Sequence, residues 1–130
     1  MLKMIELPYP IDSLEPYYSA KTMDLHYNVL YKGYVDNTNK TEEKLENARK
    51  NNDFSNIKCL EKDLSFYGSG AILHEMFFKN LGPAIPTEPD IQLMERIVKD
   101  FGSYDSFKSQ FIEASKTVEA SRLVLTSLGR

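Results

Sequence analysis

The strongest constraint on the fold is a long stretch in which apolar residues recur every three or four positions. The repeating residues are Ile57, Leu60, Leu64, Tyr67, Ala71, His74, Phe78 and Leu81. This spacing is typical of one face of an α-helix. Gly82 and Pro83 follow, and glycine and proline commonly mark the end of a helix. The pattern predicts a long helix over residues 55–81.

A second long helix is predicted upstream of the first. The lead LPYPIDSLEPY is interrupted by prolines and cannot be regular helix, but residues 19–35 carry apolar and aromatic side chains at helical spacing. Residues 36–53 have many helix-forming residues and few apolar ones, so a solvated helix and a loop both remain open there. If the helix continues, helices over 19–50 and 55–81 pair as an antiparallel hairpin.

Two shorter helices are predicted after the hairpin, near residues 88–101 and 104–118. Thr87 and Ser103 have side-chain oxygens that can cap their first turns. The chain then changes character at RLVLTSLGR, which predicts a short terminal strand. The predicted fold is therefore all-α, with a long antiparallel helical hairpin and two shorter helices.

The length and charge of the chain limit the kinds of function that it can have. With 130 residues, 42% of them hydrophobic and 27% charged, the chain has the size and composition of one globular domain, and its apolar runs are too short to cross a bilayer. A net charge of −3 with both signs interspersed leaves no basic stripe for nucleic acid. The N-terminus lacks the apolar core of a signal peptide, and Cys59 has no second cysteine to pair with. We therefore expect a cytoplasmic protein without a membrane or nucleic-acid partner.

The two histidines are the main candidates for chemistry. Helical spacing places His26 on one face with Leu30 and Tyr34, and it places His74 on the apolar face of the second long helix. In an antiparallel hairpin the two imidazoles can meet across the interface. Each is then either a core histidine with satisfied ring nitrogens or a metal ligand, and a pair is half of a usual ligand set.

Three segments carry a recognisable pattern. The first is LPYPIDSLEPYYSAKTMDLHYNVLYKGYVDNTNK, which follows T-M-x-x-H-Y-x-x-H-H-x-x-Y-V-x-x-x-N at nearly every anchor. The second is LHEMFFKNLGP, a helical histidine followed by an aromatic pair and N-L-x-P, and the third is DFGSYDSFKSQFIEAS. Together, in this order and over almost the whole chain, they resemble the iron/manganese superoxide dismutase family. The resemblance implies a hairpin domain over 1–85, with residues 86–130 forming helices and the start of a C-terminal domain.

The resemblance also implies roles for individual residues. It assigns His26 and His74 to two ligand positions of one manganese or iron ion. Tyr34 matches a tyrosine that stands near the substrate channel and hydrogen-bonds through solvent toward the metal. Gly70 falls where manganese-type members carry glycine and iron-type members often carry glutamine, which favours manganese.

Some family features are replaced or missing. Leu30 and Tyr31 stand where the family has paired histidines, and Phe78 stands where it has tryptophan. The family's W-D-x-W-E-H-x-Y-Y type motif, which supplies an aspartate and a histidine ligand, does not occur before the last residue, Arg130. We therefore expect a dismutase-like N-terminal domain without full activity by itself.

Three functions from different classes remain open. The chain is a non-catalytic interaction module, a two-histidine metal half site completed by a second chain, or a dismutase acting on superoxide with its missing segment supplied elsewhere. The strand residues Leu123, Val124 and Leu125 would lack neighbouring strands, which predicts association. The expected partner is a second copy or a complementary C-terminal-half chain.

Overall fold

All regular elements in residues 1–83 and 88–119, the ranges that the computed structural model describes, are helices. This confirms the predicted all-α class. The chain divides into two units, residues 1–84 and 85–130. The predicted strand in RLVLTSLGR lies outside the described residues. None of the described helices combines the length and the apolar content needed to cross a membrane.

The first arm of the hairpin is one continuous run of helix with an irregular turn inside it. It consists of α1 (Ala20–Asp24), a π-helical turn (Leu25–Tyr31) and α2 (Lys32–Asn51). The side-chain oxygen of Ser19 accepts a hydrogen bond from the Thr22 N–H and so caps the first turn. The charged segment left open by the sequence is therefore helical as far as Asn51.

The hairpin bends at Asn52, which adopts a left-handed conformation with φ of 51°. The N–H groups of Asn52 and Asp53 bond to the carbonyls of Arg49 and Ala48, at 3.3 and 3.0 Å. These paired bonds form a Schellman motif, and asparagine tolerates the left-handed region better than most residues. The second arm, α3, runs from Ile57 to Asn80, close to the predicted 55–81.

Contacts along the hairpin run in antiparallel order. His26, near the start of the first arm, contacts His74 and Phe78 near the end of α3. Tyr34, two turns later, contacts Phe66, two turns earlier on α3. The predicted antiparallel pairing is thus present.

The core of the first unit lies between the hairpin and the proline-rich lead. Its buried residues are Tyr9, Leu14, Met23, Tyr31, Val35, Ala71 and Phe78. The Tyr9 hydroxyl donates to the Phe78 carbonyl at 3.0 Å, and the backbone of Leu2 exchanges two hydrogen bonds with the Asn39 side chain. The lead is therefore folded onto the hairpin although it contains no regular helix.

The second unit contains α4 (Ile91–Phe101) and α5 (Tyr104–Lys116). Asp90 caps α4 by accepting the Leu93 N–H at 2.8 Å, so α4 begins three residues later than predicted; Thr87, the predicted cap, lies outside the described residues. The predicted cap at Ser103 is confirmed, since its hydroxyl accepts the Ser106 N–H at 3.0 Å.

Candidate metal centre

The π-helical turn determines which side chains reach the interior beside His26. In a π-helix the backbone bonds run to the fifth preceding residue, so the turn holds more residues than an α-helical turn. Leu30, four residues after His26, is 54% exposed, whereas Tyr31, five residues after it, is 1% exposed. The prediction that Leu30 shares the inner face with His26 and Tyr34 is therefore wrong, because the register shifts within this turn.

The two imidazoles meet across the hairpin. The ring centroids of His26 and His74 lie 4.9 Å apart, with the ring planes at 84°, an edge-to-face contact. Each ring comes from a different arm, so their contact depends on the antiparallel packing. This contact had been predicted from the resemblance and from the spacing of the two histidines.

A hydrogen bond fixes the tautomer of His74. Its Nδ1 lies 2.7 Å from the carbonyl oxygen of Gly70, one turn earlier on α3. A carbonyl oxygen can only accept, so Nδ1 carries the proton and Nε2 of a neutral ring retains its lone pair. Histidines that bind metals commonly donate their other ring N–H to such a carbonyl.

Aromatic rings surround the pair on several sides. His26 packs against Phe77 and Phe78 at centroid distances of 4.9 and 5.2 Å. Tyr31 lies parallel to His74 at 6.1 Å, and Tyr34 lies 4.9 Å from the same ring. The histidines therefore occupy a largely apolar, half-buried setting between the two arms.

This setting lowers the pKa of His26 below its ordinary value. The main cause is burial, which disfavours the charged imidazolium, and the nearby His74 adds a smaller effect in the same direction. The neutral ring is the form that has a free lone pair and can bind a metal.

In the described part of the chain, the candidate metal ligands at this site are the two imidazoles of His26 and His74. In residues 1–83 and 88–119 there is no group of three or more His, Cys, Asp or Glu side chains able to hold a metal ion. The described residues thus fit part of a transition-metal site, and a bound ion would need further ligands from elsewhere.

Tyr31 is a site residue that the helical spacing of the sequence did not identify. The sequence showed it only as a replacement for a family histidine, yet it is buried beside His74 and its hydroxyl accepts the Ile5 N–H at 3.3 Å. A period of 3.6 residues places Tyr31 away from His26, so only knowledge of the π-helical turn would have identified it.

Comparison with known proteins gives a consistent family assignment. Residues 1–82 match the family model for the α-hairpin domain of iron/manganese superoxide dismutases. The chain is 44% identical over 118 residues to a superoxide dismutase [Fe] from Methanothermobacter marburgensis, covering 89% of this chain and 58% of the relative. It is 41% identical over 130 residues to a superoxide dismutase [Mn/Fe] from Propionibacterium freudenreichii, covering 96% of this chain and 65% of the relative.

A third relative, a probable superoxide dismutase [Fe] from Bacillus subtilis, is 40% identical over 114 residues, which are 88% of this chain and 41% of the relative. The chain thus spans less than two thirds of the length of these curated relatives. The matches extend over both described ranges and include the segments that hold His26, Tyr34 and His74. The chain belongs to the iron/manganese superoxide dismutase family, and its first 82 residues correspond to the α-hairpin domain of that family.

Proposed function

We propose that His26 and His74 are ligands of one manganese or iron ion, and that the chain acts as the α-hairpin part of a superoxide dismutase. The observation that carries this proposal is the contact of two imidazoles, 4.9 Å apart, from opposite arms of the hairpin. Imidazole nitrogen binds several transition metals, and the names of the relatives, [Fe] and [Mn/Fe], favour these two.

The protonation of both rings supports the ligand role. The Gly70 carbonyl holds the His74 proton on Nδ1, which leaves Nε2 as the nitrogen that would bind an ion. Burial holds the pKa of His26 low, so this ring is predominantly neutral at neutral pH. His26 then does not have to lose a proton before it binds metal.

Tyr34 is the proposed catalytic residue of this chain. Its half-buried ring lies against His74, and its hydroxyl can exchange hydrogen bonds with solvent or with a small anion near the site. Dismutation converts two superoxide ions and two protons into one oxygen and one hydrogen peroxide, so protons must be delivered there. A manganese or iron ion, when bound, supplies the one-electron redox couple of this reaction.

Full activity requires ligands beyond the two imidazoles, because the described residues contain no larger ligand group. We propose that the remaining ligands come from a further segment, from a complementary chain or from a second copy. By itself the chain is then a metal-binding half site with low activity.

Metal titration tests the ligand assignment. Mn²⁺ and, without oxygen, Fe²⁺ are titrated into the chain and into His26→Ala and His74→Ala. Each substitution is expected to weaken binding by at least about tenfold, since even a partner that only orients a ligand is worth that much. Ile72→Ala is the matched control, because Ile72 lies on the same helix and is exposed. Equal affinities for all four proteins would contradict the assignment.

Complementation tests the activity. The part of the Propionibacterium freudenreichii relative beyond the match is joined to this chain, and dismutase activity is measured with manganese or iron. The joined protein should be active and the chain alone nearly inactive, with activity lost on His26→Ala. If the joined protein folds and binds metal but remains inactive, the chain is better described as an interaction module.

A further inference from the structure

Ile5, in the N-terminal segment formed by residues 1–6, is held by two tyrosine side chains of the first arm. Its backbone N–H donates to the Tyr31 hydroxyl at 3.3 Å, and its carbonyl oxygen accepts the hydroxyl proton of Tyr27. The two tyrosines lie in the π-helical turn, and their ring centroids are 5.8 Å apart. Neighbouring side chains thus satisfy both backbone groups of Ile5, in a segment that has no helical hydrogen bonds of its own.

The ring of Tyr31 connects this segment to a candidate metal ligand. It lies parallel to the imidazole of His74, with the planes at 3° and the centroids 6.1 Å apart, which is within the range of offset-stacked pairs. The same ring contacts Phe78 at 5.7 Å and is buried. The hydroxyl end of Tyr31 is therefore fixed by Ile5, and its ring is fixed by close packing.

The hydrogen bond of His74 to Gly70 leaves one movement of the imidazole unrestrained. The bond from Nδ1 to the Gly70 carbonyl fixes one edge of the ring, but the plane of the ring can still tilt about this bond. Nε2 does not lie on the axis of the bond, so the direction in which its lone pair points depends on the tilt. A buried ring packed parallel to the imidazole, as Tyr31 is, limits this movement.

We propose that Tyr31 is a positioning residue for His74, and that the backbone of Ile5 sets the position of Tyr31. The N-terminal segment then takes part in the geometry of the candidate metal centre through one tyrosine. The consequence for metal binding rests on the proposed function, whereas the contacts among Ile5, Tyr31 and His74 do not.

The test removes single hydrogen bonds and follows the His74 ring by NMR, in the metal-free chain with a chelator present. Tyr31→Phe and Ile5→Pro remove the same bond from its two ends. Tyr9→Phe is the matched control, because Tyr9 is also buried and its hydroxyl also bonds to the backbone, at the Phe78 carbonyl.

In the wild type, a nuclear Overhauser contact is expected between the ring protons of Tyr31 and His74. Tyr31→Phe and Ile5→Pro should each weaken this contact and shift the nitrogen and proton resonances of the His74 ring. The two shifts should not add in the double variant, because both substitutions remove one bond. The Ile5 amide should exchange with solvent at least about fivefold faster in Tyr31→Phe, the factor that corresponds to a hydrogen bond of typical net strength.

The control separates positioning from general loosening of the fold. Tyr9→Phe should lower Tm about as much as Tyr31→Phe, since each loses one buried hydroxyl, but it should leave the His74 resonances unchanged. An equal shift in Tyr9→Phe, an unchanged His74 ring in Tyr31→Phe, or an unchanged exchange rate of the Ile5 amide would each overturn the proposal. If Ile5→Pro does not fold, Tyr27→Phe takes its place, because it releases the Ile5 carbonyl. All measurements are made without metal, so a failure to bind manganese or iron would count against the proposed function alone.

Discussion

At the scale of single residues, burial of His26 has a measurable consequence for stability. His26 faces His74, Phe77 and Phe78, and these partners include no acidic side chain. Burial, with a smaller effect of His74, therefore lowers the folded-state pKa of His26 below 6.5, its value in an unperturbed chain. Between these two pKa values, the unfolded protein binds more protons than the folded protein.

The stability of the metal-free chain should therefore fall in acid. The contribution of His26 is fully present above its unfolded pKa of about 6.5 and is lost as the pH falls through the lower folded-state pKa. Urea unfolding measured with a chelator from about pH 7.5 to pH 5 should show this decline, and His26→Leu should reduce it. An identical pH dependence in wild type and His26→Leu would show that burial does not perturb this ring.

At the scale of helices, the π-helical turn decides which side chains line the site. The N–H of Lys32, at the end of this turn, bonds to the carbonyl of Tyr27, five residues earlier. Such a turn is equivalent to one additional residue within an α-helix, and it is often found at functional sites. Here the additional residue turns Leu30 outward, and Tyr31 takes the inner position beside His74.

Deletion of Leu30 should consequently be tolerated. It removes an exposed residue and brings Tyr31 to a spacing of four from His26, so a regular α-helix can present both to the interior. Deletion of Glu43, exposed in α2, should be far more harmful, because it rotates the helix by about 100° and turns the buried Leu45 away from its partners.

Far-UV circular dichroism and Tm are the measurements for this pair of deletions. We expect the Leu30 deletion to keep a cooperative transition and the Glu43 deletion to lose it. Equal damage in the two proteins would mean that the π-helical turn is required for folding and is not a removable insertion.

At the scale of the whole first unit, Phe78 joins three separate parts of the chain. Its ring, with no exposed surface, contacts His26, Tyr27 and Tyr31 of the first arm. Its carbonyl accepts the hydroxyl proton of Tyr9 from the proline-rich lead. Packing of the lead, the first arm and α3 therefore depends on one residue position.

Phe78→Ala should destabilise this unit by about 3–5 kcal/mol, the usual effect of removing a buried phenylalanine. Phe66→Ala on the same helix should change stability by less than about 1 kcal/mol, because Phe66 is 60% exposed. Urea unfolding of the two variants gives both values. A small effect at Phe78 would mean that the surrounding rings collapse into the space it leaves.

Periodicity and end signals were sufficient to predict the helices, because helical hydrogen bonds and caps join residues that are close in sequence. The spacing from Ile57 to Leu81 predicted α3 within two residues, and Ser103 was correctly predicted as a cap. Helix starts that lack a single clear capping residue were harder to predict. At Asp90, for example, several polar residues precede the helix.

Burial was less predictable than helix location. Of the residues on the predicted apolar faces, Ala71 and Phe78 are buried, whereas Tyr34, Leu64 and Tyr67 are half-buried and Leu30 is exposed. A residue's exposure depends on which neighbours pack against it, and a one-residue change of register moves a side chain by about 100°. The sequence contains no local signal for the π-helical turn that produces such a change here.

The sequence by itself determined the family, the two candidate ligands and the helical hairpin, since each depends on residue identity and short-range spacing. Only the tertiary structure decided that Tyr31 replaces Leu30 beside the histidines, that the Gly70 carbonyl sets the tautomer of His74, and that the lead closes the core through Tyr9. The features at Tyr31 and Tyr9 arise from packing between segments far apart in the chain, whereas the Gly70–His74 hydrogen bond joins residues one turn apart on α3. In each case close contact and hydrogen-bond geometry select among arrangements that a helical period leaves equivalent.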